Sequence, residues 1–256
     1  MTDIYICTVL LEKNRWAKGK QPTYLVSEWI SRFQEAGFAG IELWENHALL
    51  ASEEERRQLK ESGFPIAIFN TYAGFGAAEM AAAQKAAEMV HEFGSAGVKF
   101  NLGREQERRT EYIDNVLAWA QTLPADTRLL CECHAGTIME NPPDAQAIFA
   151  AWEDPRCQAI VHPFERDLKK LQTWFELLGE RITHAHVQLR DENGAIQRLF
   201  RNPKLVKEAL HIMREEGFRG TFSIEFTEGT GKPDENKEDL FRAALDDLDF
   251  MRQTWE

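Results

Sequence analysis

The segment LLCECHAGT, residues 129–137, holds two thiols, a carboxylate and an imidazole at four consecutive positions: Cys131, Glu132, Cys133 and His134. These are metal-binding side chains, and a carboxylate beside an imidazole can also move protons. The apolar start and small-residue end read as a β-strand running into a turn. Neighbouring side chains on a strand face opposite ways, so Glu132 and His134 share one face and the two cysteines the other. A Cys-x-Cys zinc site needs two further soft ligands, and Cys7 and Cys157 stand alone. The cysteines are therefore expected as small buried apolar residues against helices, and the chemistry falls to Glu132 and His134.

Two more segments show the same alternation. In ITHAHVQLRD (182–191), His184, His186 and Gln188 share one face while Ala185, Val187 and Leu189 form an apolar one. In TFSIEF (221–226), Glu225 lies opposite the face of Phe222, Ile224 and Phe226. Buried polar groups need partners, and a buried carboxylate needs a cation. Few lysines or arginines read as inward-facing, so a metal is expected in preference to an ion pair.

These segments must be positioned by a larger pattern. Strand-like runs occur at 4–10, 40–44, 65–70, 97–102, 128–133, 158–162, 183–189 and 221–226, roughly thirty residues apart. Between most of them lie stretches of helical periodicity, such as MAAAQKAAEMVHEFGSAG, LKKLQTWFELLG and PKLVKEALHIMREEG. Gly37, Gly63, Gly97, Gly179 and Gly217 fall where helix C-caps are expected. Eight strands alternating with helices, with no break in composition, predict an α/β fold: one (β/α)8 TIM-barrel domain over 1–256. An open doubly wound sheet would want a glycine-rich phosphate loop after the first strand, and LLEKNRWAKG is not one. Barrel active sites lie at the C-terminal strand ends. The polar residues expected there are Glu42, Asn70, Asn101, Glu132, His134, His162, Gln188 and Glu225.

Composition limits the function. Of the 256 residues, 43% are hydrophobic and 28% charged, as in ordinary globular proteins. No apolar run approaches the ~20 residues of a membrane span, and the first residues, MTDIYICTVL, do not read as a signal peptide. A cytoplasmic location with reduced cysteines is expected. The net charge of −12, with no basic block, argues against nucleic acid and leaves small molecules as partners. A homo-oligomer is left open.

The segments GFAGIELWENH (37–47), CECHAGT (131–137), HPFE (162–165), HVQLRDENG (186–194) and GTFSIEF (220–226) together resemble, in order and at the right strand ends, the xylose-isomerase-like TIM barrels. That family holds sugar isomerases, epimerases and apurinic endonucleases. The resemblance to its ketose 3-epimerase type implies one divalent ion held by Glu, Asp, His and Glu. Position by position, these become Glu132, His162, Gln188 and Glu225, with His186 as the alternative to Gln188. Glu165 falls where a family His would stand, and Asp191 fits the strand-seven pattern. Glu132 and Glu225 would be the catalytic proton carriers, acting through an enediolate on a ketose or keto-sugar. Glu42, Asn70, Asn101, His134 and His186 would contact sugar hydroxyls, with Trp16 and Trp44 packing on a sugar face. An imidazole in place of the Asp favours Mn2+, ahead of Co2+, Zn2+, Ni2+ or Mg2+. The endonucleases need a histidine-rich trinuclear zinc cluster, which Asn70 and Asn101 do not supply. A lyase or dehydratase on a related polyol or keto-glycoside, and a metal-free sugar-binding barrel, remain as alternatives.

Overall fold

The computed structural model describes residues 2–255. Eight parallel strands close into a barrel: β1 (Ile4–Cys7), β2 (Ile41–Trp44), β3 (Ile66–Asn70), β4 (Gly97–Phe100), β5 (Arg128–Glu132), β6 (Cys157–Val161), β7 (Ile182–Val187) and, after a short antiparallel hairpin of β8 (Leu189–Arg190) and β9 (Ile196–Gln197), β10 (Thr221–Ile224). β10 pairs with both β7 and β1, which completes the ring. The helices are α1 (Ile30–Ala36), α2 (Glu45–Leu49), α3 (Glu53–Glu61), α4 (Met80–Phe93), α5 (Arg109–Ala120), α6 (Pro142–Ala151), α7 (Leu168–Leu178), α8 (Pro203–Glu215) and α9 (Lys237–Trp255). This is the expected (β/α)8 barrel.

The helices bury the faces that their periodicity marks. α7 buries Leu171, Trp174, Phe175 and Leu178, and α8 buries Val206, Ala209, Leu210 and Met213, both at i, i+3, i+4, i+7 spacing. Asp167 and Asn202 cap these two helices by accepting backbone N–H bonds. Outward strand residues such as Leu129, Cys131, Cys133, Cys157, Ala185 and Val187 join the helices in one apolar layer. The cysteines are free and buried there, except Cys7, which faces inward with Trp44 and Phe226. Inside the barrel, Tyr5, Ala67, Ile68, Leu130 and Ile160 form a separate apolar plug.

Some boundaries differ from the sequence expectation. The first run stops being a strand at Cys7, and Thr8–Leu11 turns as a 3-10 helix. Gly97 is the first residue of β4; the left-handed cap after α4 is Gly94, at φ 65°. Gly220, at the entry to β10, has no room for a side chain, because a Cβ there would lie 2.1 Å from the Thr183 carbonyl oxygen.

Two buried polar anchors fix loops around the C-terminal end. Arg15, 3% exposed, bonds the Val9 and Leu10 carbonyls and clasps Glu235 with two N–H groups. Asp247 on α9 accepts from the Leu199 backbone N–H at 2.7 Å and the Thr227 hydroxyl at 2.6 Å, joining the segment after the hairpin to the loop after Glu225.

Burial pushes the Asp247 carboxyl up to about 7, against the two hydrogen bonds it accepts. The folded state therefore holds this proton more tightly than the unfolded chain, whose Asp titrates near ~3.9. Its stabilising contribution is full below about pH 4 and is lost as pH rises through about 7. In urea melts at a series of pH values, wild type minus Asp247→Asn should show a stability difference that declines over this window. A flat difference would show that Asp247 titrates normally.

Candidate functional site

The inner residues of β5, β6, β7 and β10 meet at the C-terminal end of the barrel. One ligand atom each from Glu132, His162, His186 and Glu225 lies within 4.8 Å of all the others. Glu132 ends β5, and His162, Gln188 and Glu225 sit one residue beyond β6, β7 and β10. Strand alternation turns all of them to the axis. His162 Nε2 meets Glu132 Oε1 at 2.9 Å, and His186 Nδ1 meets the same oxygen at 3.0 Å. The Gln188 amide donates to Glu225 Oε2 at 2.8 Å and lies 2.9 Å from His162 Nδ1. Both alternatives for the strand-seven position, His186 and Gln188, thus border the cluster.

Sequence reasoning missed Lys99. It lies on the inner face of β4, 1% exposed, with its ammonium 2.8 Å from Glu132 Oε2 and 2.7 Å from Asn101 Oδ1. The Tyr72 ring covers it at 4.4 Å. The expectation that inward cations are scarce is corrected here. Asn101 also donates to Glu132 Oε2 at 2.8 Å, so four side chains converge on this one carboxylate. Burial raises the Glu132 pKa, but the Lys99 charge and the bonds to His162 and His186 outweigh it and hold it well below the usual range.

Beneath the cluster, Glu42 is fully buried between Asn70 at 2.6 Å and His186 at 3.2 Å. Burial opposes a charge on His186, but the carboxylates of Glu42, Glu225 and Glu132 overcome it and raise its pKa well above normal. His184, one layer lower, bonds the Thr221 and Ser223 hydroxyls, and burial brings its pKa down to about 4, so it is neutral at pH 7. Glu42 and His186 are 0% exposed and Asn70 1%. Against their expected role as direct sugar contacts, they lie under the mouth, where Asn70 and His186 both bond Glu42 and Asn70 Oδ1 is a buried acceptor with no partner among the described residues. Trp44, 1% exposed, is likewise core. Trp16 is 62% exposed and rests on Phe226.

The mouth has two lobes, separated by His134 and Ala135. One, about 460 Å3, is bordered by Tyr72, Asn101, Arg104, Glu132 and Thr137. The other, about 360 Å3, is bordered by His162, Phe164, Arg166, Gln188 and Arg190. Asn101 and His134 therefore do face open space. Glu165 and Asp191 also border the second lobe, but Glu165 lies 3.5 Å from Lys170, and one Asp191 oxygen closes the hairpin turn by accepting from Asn193 and Ala195.

The residues suit a divalent ion. Glu42, Glu132 and Glu225 against Lys99 leave a formal charge of −2, or −1 with His186 protonated, so the cluster keeps negative charge for a cation to offset. Gln188 Oε1 is a buried acceptor with no partner among the described residues, the kind of atom a cation satisfies.

Comparison with known proteins agrees with this architecture. No curated protein matches the chain. Among solved structures, the 3-keto-D-glucoside 4-epimerase of E. coli superposes with a TM-score of 0.71 at 16% identity, covering 99% of this chain and 100% of that one. A xylose isomerase-like TIM barrel protein from Mycobacterium smegmatis, in complex with magnesium, gives 0.62 at 15%, covering 97% and 98%. Endonuclease IV of Thermus thermophilus gives 0.64 at 13%, covering 98% and 99%. At these identities the likeness is one of fold. The family model described as xylose isomerase-like TIM barrel matches residues 30–254, most of the chain, and the protein belongs to that family.

Proposed function

We propose that the protein is a divalent-metal-dependent isomerase or epimerase that moves a proton on the carbon next to the carbonyl of a ketose or keto-sugar. The observation that carries this reading is the convergence of Glu132, His162, His186 and Glu225, with Gln188 beside them, at the barrel mouth. Glu132, His162 and Glu225 would hold the ion, with Gln188 or His186 as the fourth ligand. Mn2+ suits a set of two carboxylates, an imidazole and an amide or second imidazole better than Mg2+ does. The bound ion would supply Lewis-acid polarisation of the substrate carbonyl.

The protein's own groups divide the remaining work. Glu225 receives one side-chain hydrogen bond, from Gln188, and has capacity left to take a proton from carbon. Glu132 is the other proton carrier of the two-glutamate scheme, and Lys99 and Asn101 fix its far oxygen. Proton removal leaves an enediolate. Reprotonation at the same carbon gives an epimer, and at the neighbouring carbon an isomer. Asn101 and His134, which border the mouth, would bind hydroxyls. A 3-keto-D-glucoside 4-epimerase on the same fold supports a sugar substrate. The net charge of −12 supports a small molecule over DNA, despite the endonuclease neighbour.

The test is a panel of ketoses and keto-sugars incubated with Mn2+-loaded protein in D2O and followed by NMR. Deuterium should enter next to the carbonyl of a substrate whose composition is otherwise unchanged. Loss of water instead would reassign the protein as a lyase. On the substrate so found, Glu225→Gln should lower kcat by roughly 10²–10⁴-fold or more, the scale of a lost general base, while Mn2+ still binds in calorimetry. Near-full activity would rule out the two-glutamate mechanism.

Lys99 has a separate signature. Lys99→Met removes the permanently charged partner of the buried Glu132, which should cost about 3–5 kcal/mol of stability in the presence of EDTA. Adding Glu132→Gln should restore part of that loss. If urea unfolding shows the double variant to be less stable than Lys99→Met, the pair is not the electrostatic unit described.

A further inference from the structure

We propose that the lobe of the mouth between the β6–α7 loop and the β8–β9 hairpin is a subsite for an anionic group, and that the substrate therefore carries a carboxylate or phosphate. This rests on the keto-sugar reading and narrows it to sugar acids and sugar phosphates.

Arg166, in the β6–α7 loop, and Arg190, on β8 of the hairpin, 24 positions apart in sequence, border the same 360 Å3 space as His162 and Gln188. Their guanidinium groups are only partly engaged. Arg166 gives Nη1 to Glu192 at 2.9 Å, and Arg190 gives Nη1 to the Gly194 carbonyl at 2.9 Å. Among the described residues, Nε and Nη2 of both have no hydrogen-bond partner, which leaves each a two-pronged fork of donors. His134, on the wall between the lobes, uses Nδ1 on the Ala135 carbonyl and has no partner at Nε2. Of the acidic residues of the lobe, Glu165 lies 3.5 Å from Lys170, and Asp191 commits one oxygen to the N–H groups of its own turn and has its pKa lowered by those bonds and by the Arg166 charge. The unspent hydrogen-bond donors on this wall are the two guanidinium forks and His134 Nε2. Paired N–H groups of a guanidinium match the oxygens of a carboxylate or phosphate, which accept two parallel bonds.

The position of the lobe supplies the rest of the argument. His162 and Gln188 form its floor and also border the metal-ligating cluster. A short acyclic or ring sugar held by its anionic end at Arg166 and Arg190 extends toward Glu132 and Glu225. The anion would then set which carbon stands over the proton carriers.

The test uses three matched polyols: D-gluconate, D-glucitol 6-phosphate and neutral D-glucitol. Binding is measured by calorimetry to wild-type protein and to Arg166→Gln, Arg190→Gln and the double variant, with Arg219→Gln, in a pocket at the opposite end of the barrel, as control. One or both anions should bind at least roughly tenfold more tightly than glucitol. Each single variant should remove about tenfold of that affinity, the scale of one charge-assisted bond, and the control none. The stronger of the two anions identifies carboxylate or phosphate. Gluconate affinity that depends on Mn2+ but not on either arginine would mean direct chelation and would overturn the subsite, as would equal binding of all three polyols. The two proposals separate cleanly. Arginine-dependent anion binding without any proton exchange in D2O would leave the subsite standing and reject the isomerase. Turnover of a neutral keto-sugar, unchanged in kcat/KM by both arginine variants, would do the reverse.

Discussion

Three carboxylates, Glu42, Glu132 and Glu225, lie on the barrel axis at exposures of 0%, 2% and 5%. The upper half of the barrel is arranged around neutralising them. Moving an ion out of water costs several kcal/mol even after relaxation, and the cost is recovered only by close charges and full hydrogen bonding. Lys99 is committed to Glu132, His186 lies between Glu132 and Glu42, Asn70 donates to Glu42, and Gln188 to Glu225. Little donor capacity near the axis is left idle. In the proposed function the same concentration of charge would hold a cation and move protons, so the demands of folding and of chemistry would fall on the same side chains.

What surrounds this layer raises its strength. The plug of Tyr5, Ala67, Ile68, Leu130 and Ile160 fills the barrel below it, and the helices close it off laterally. Charges between an apolar floor and a narrow mouth interact more strongly than they would in water. Position matters correspondingly. The loop after Glu225 is held by Thr227 on Asp247, and the long β1–α1 connection by Arg15 on Glu235. Glu12 reinforces that connection: burial raises its pKa, but His47, Asn14 and Thr23 outweigh it and bring it down to about 2.

Much of this was legible in the sequence because strand alternation is strict. It put Glu132 and His134 on one face, grouped His184, His186 and Gln188, and turned Cys131 and Cys133 to the helices. It was less informative about depth. Strands of a barrel are staggered, so Glu42 and Glu132 both read as strand-end residues, yet only Glu132 borders the mouth. Lys99 was overlooked because a lysine inside GVKFNL reads as a long side chain reaching for water, although it shares its face with Asn101. The Asn-Gly at 193–194 is a hairpin signal that went unread while the same stretch was matched to a ligand pattern. The pairing of Arg166 with Arg190 depends on a loop and the hairpin meeting over one lobe and has no local sequence signature.

The departures from the Glu, Asp, His, Glu set that the family resemblance implies have a common direction. Histidine at 162 removes one negative charge from the ligand positions, and Lys99 adds a positive one beside them. With a dication bound, the buried groups would lie close to charge balance, and an Asp at 162 would make them one charge more negative. A site so balanced attracts a cation less strongly than a more acidic one, but it also repels an anion less. In the proposed subsite, two arginine forks at the edge of such a centre would hold a negatively charged substrate against less repulsion from the floor. The charge changes on the axis and the cationic wall of the lobe are therefore physically compatible, and each removes an obstacle that the other would otherwise face.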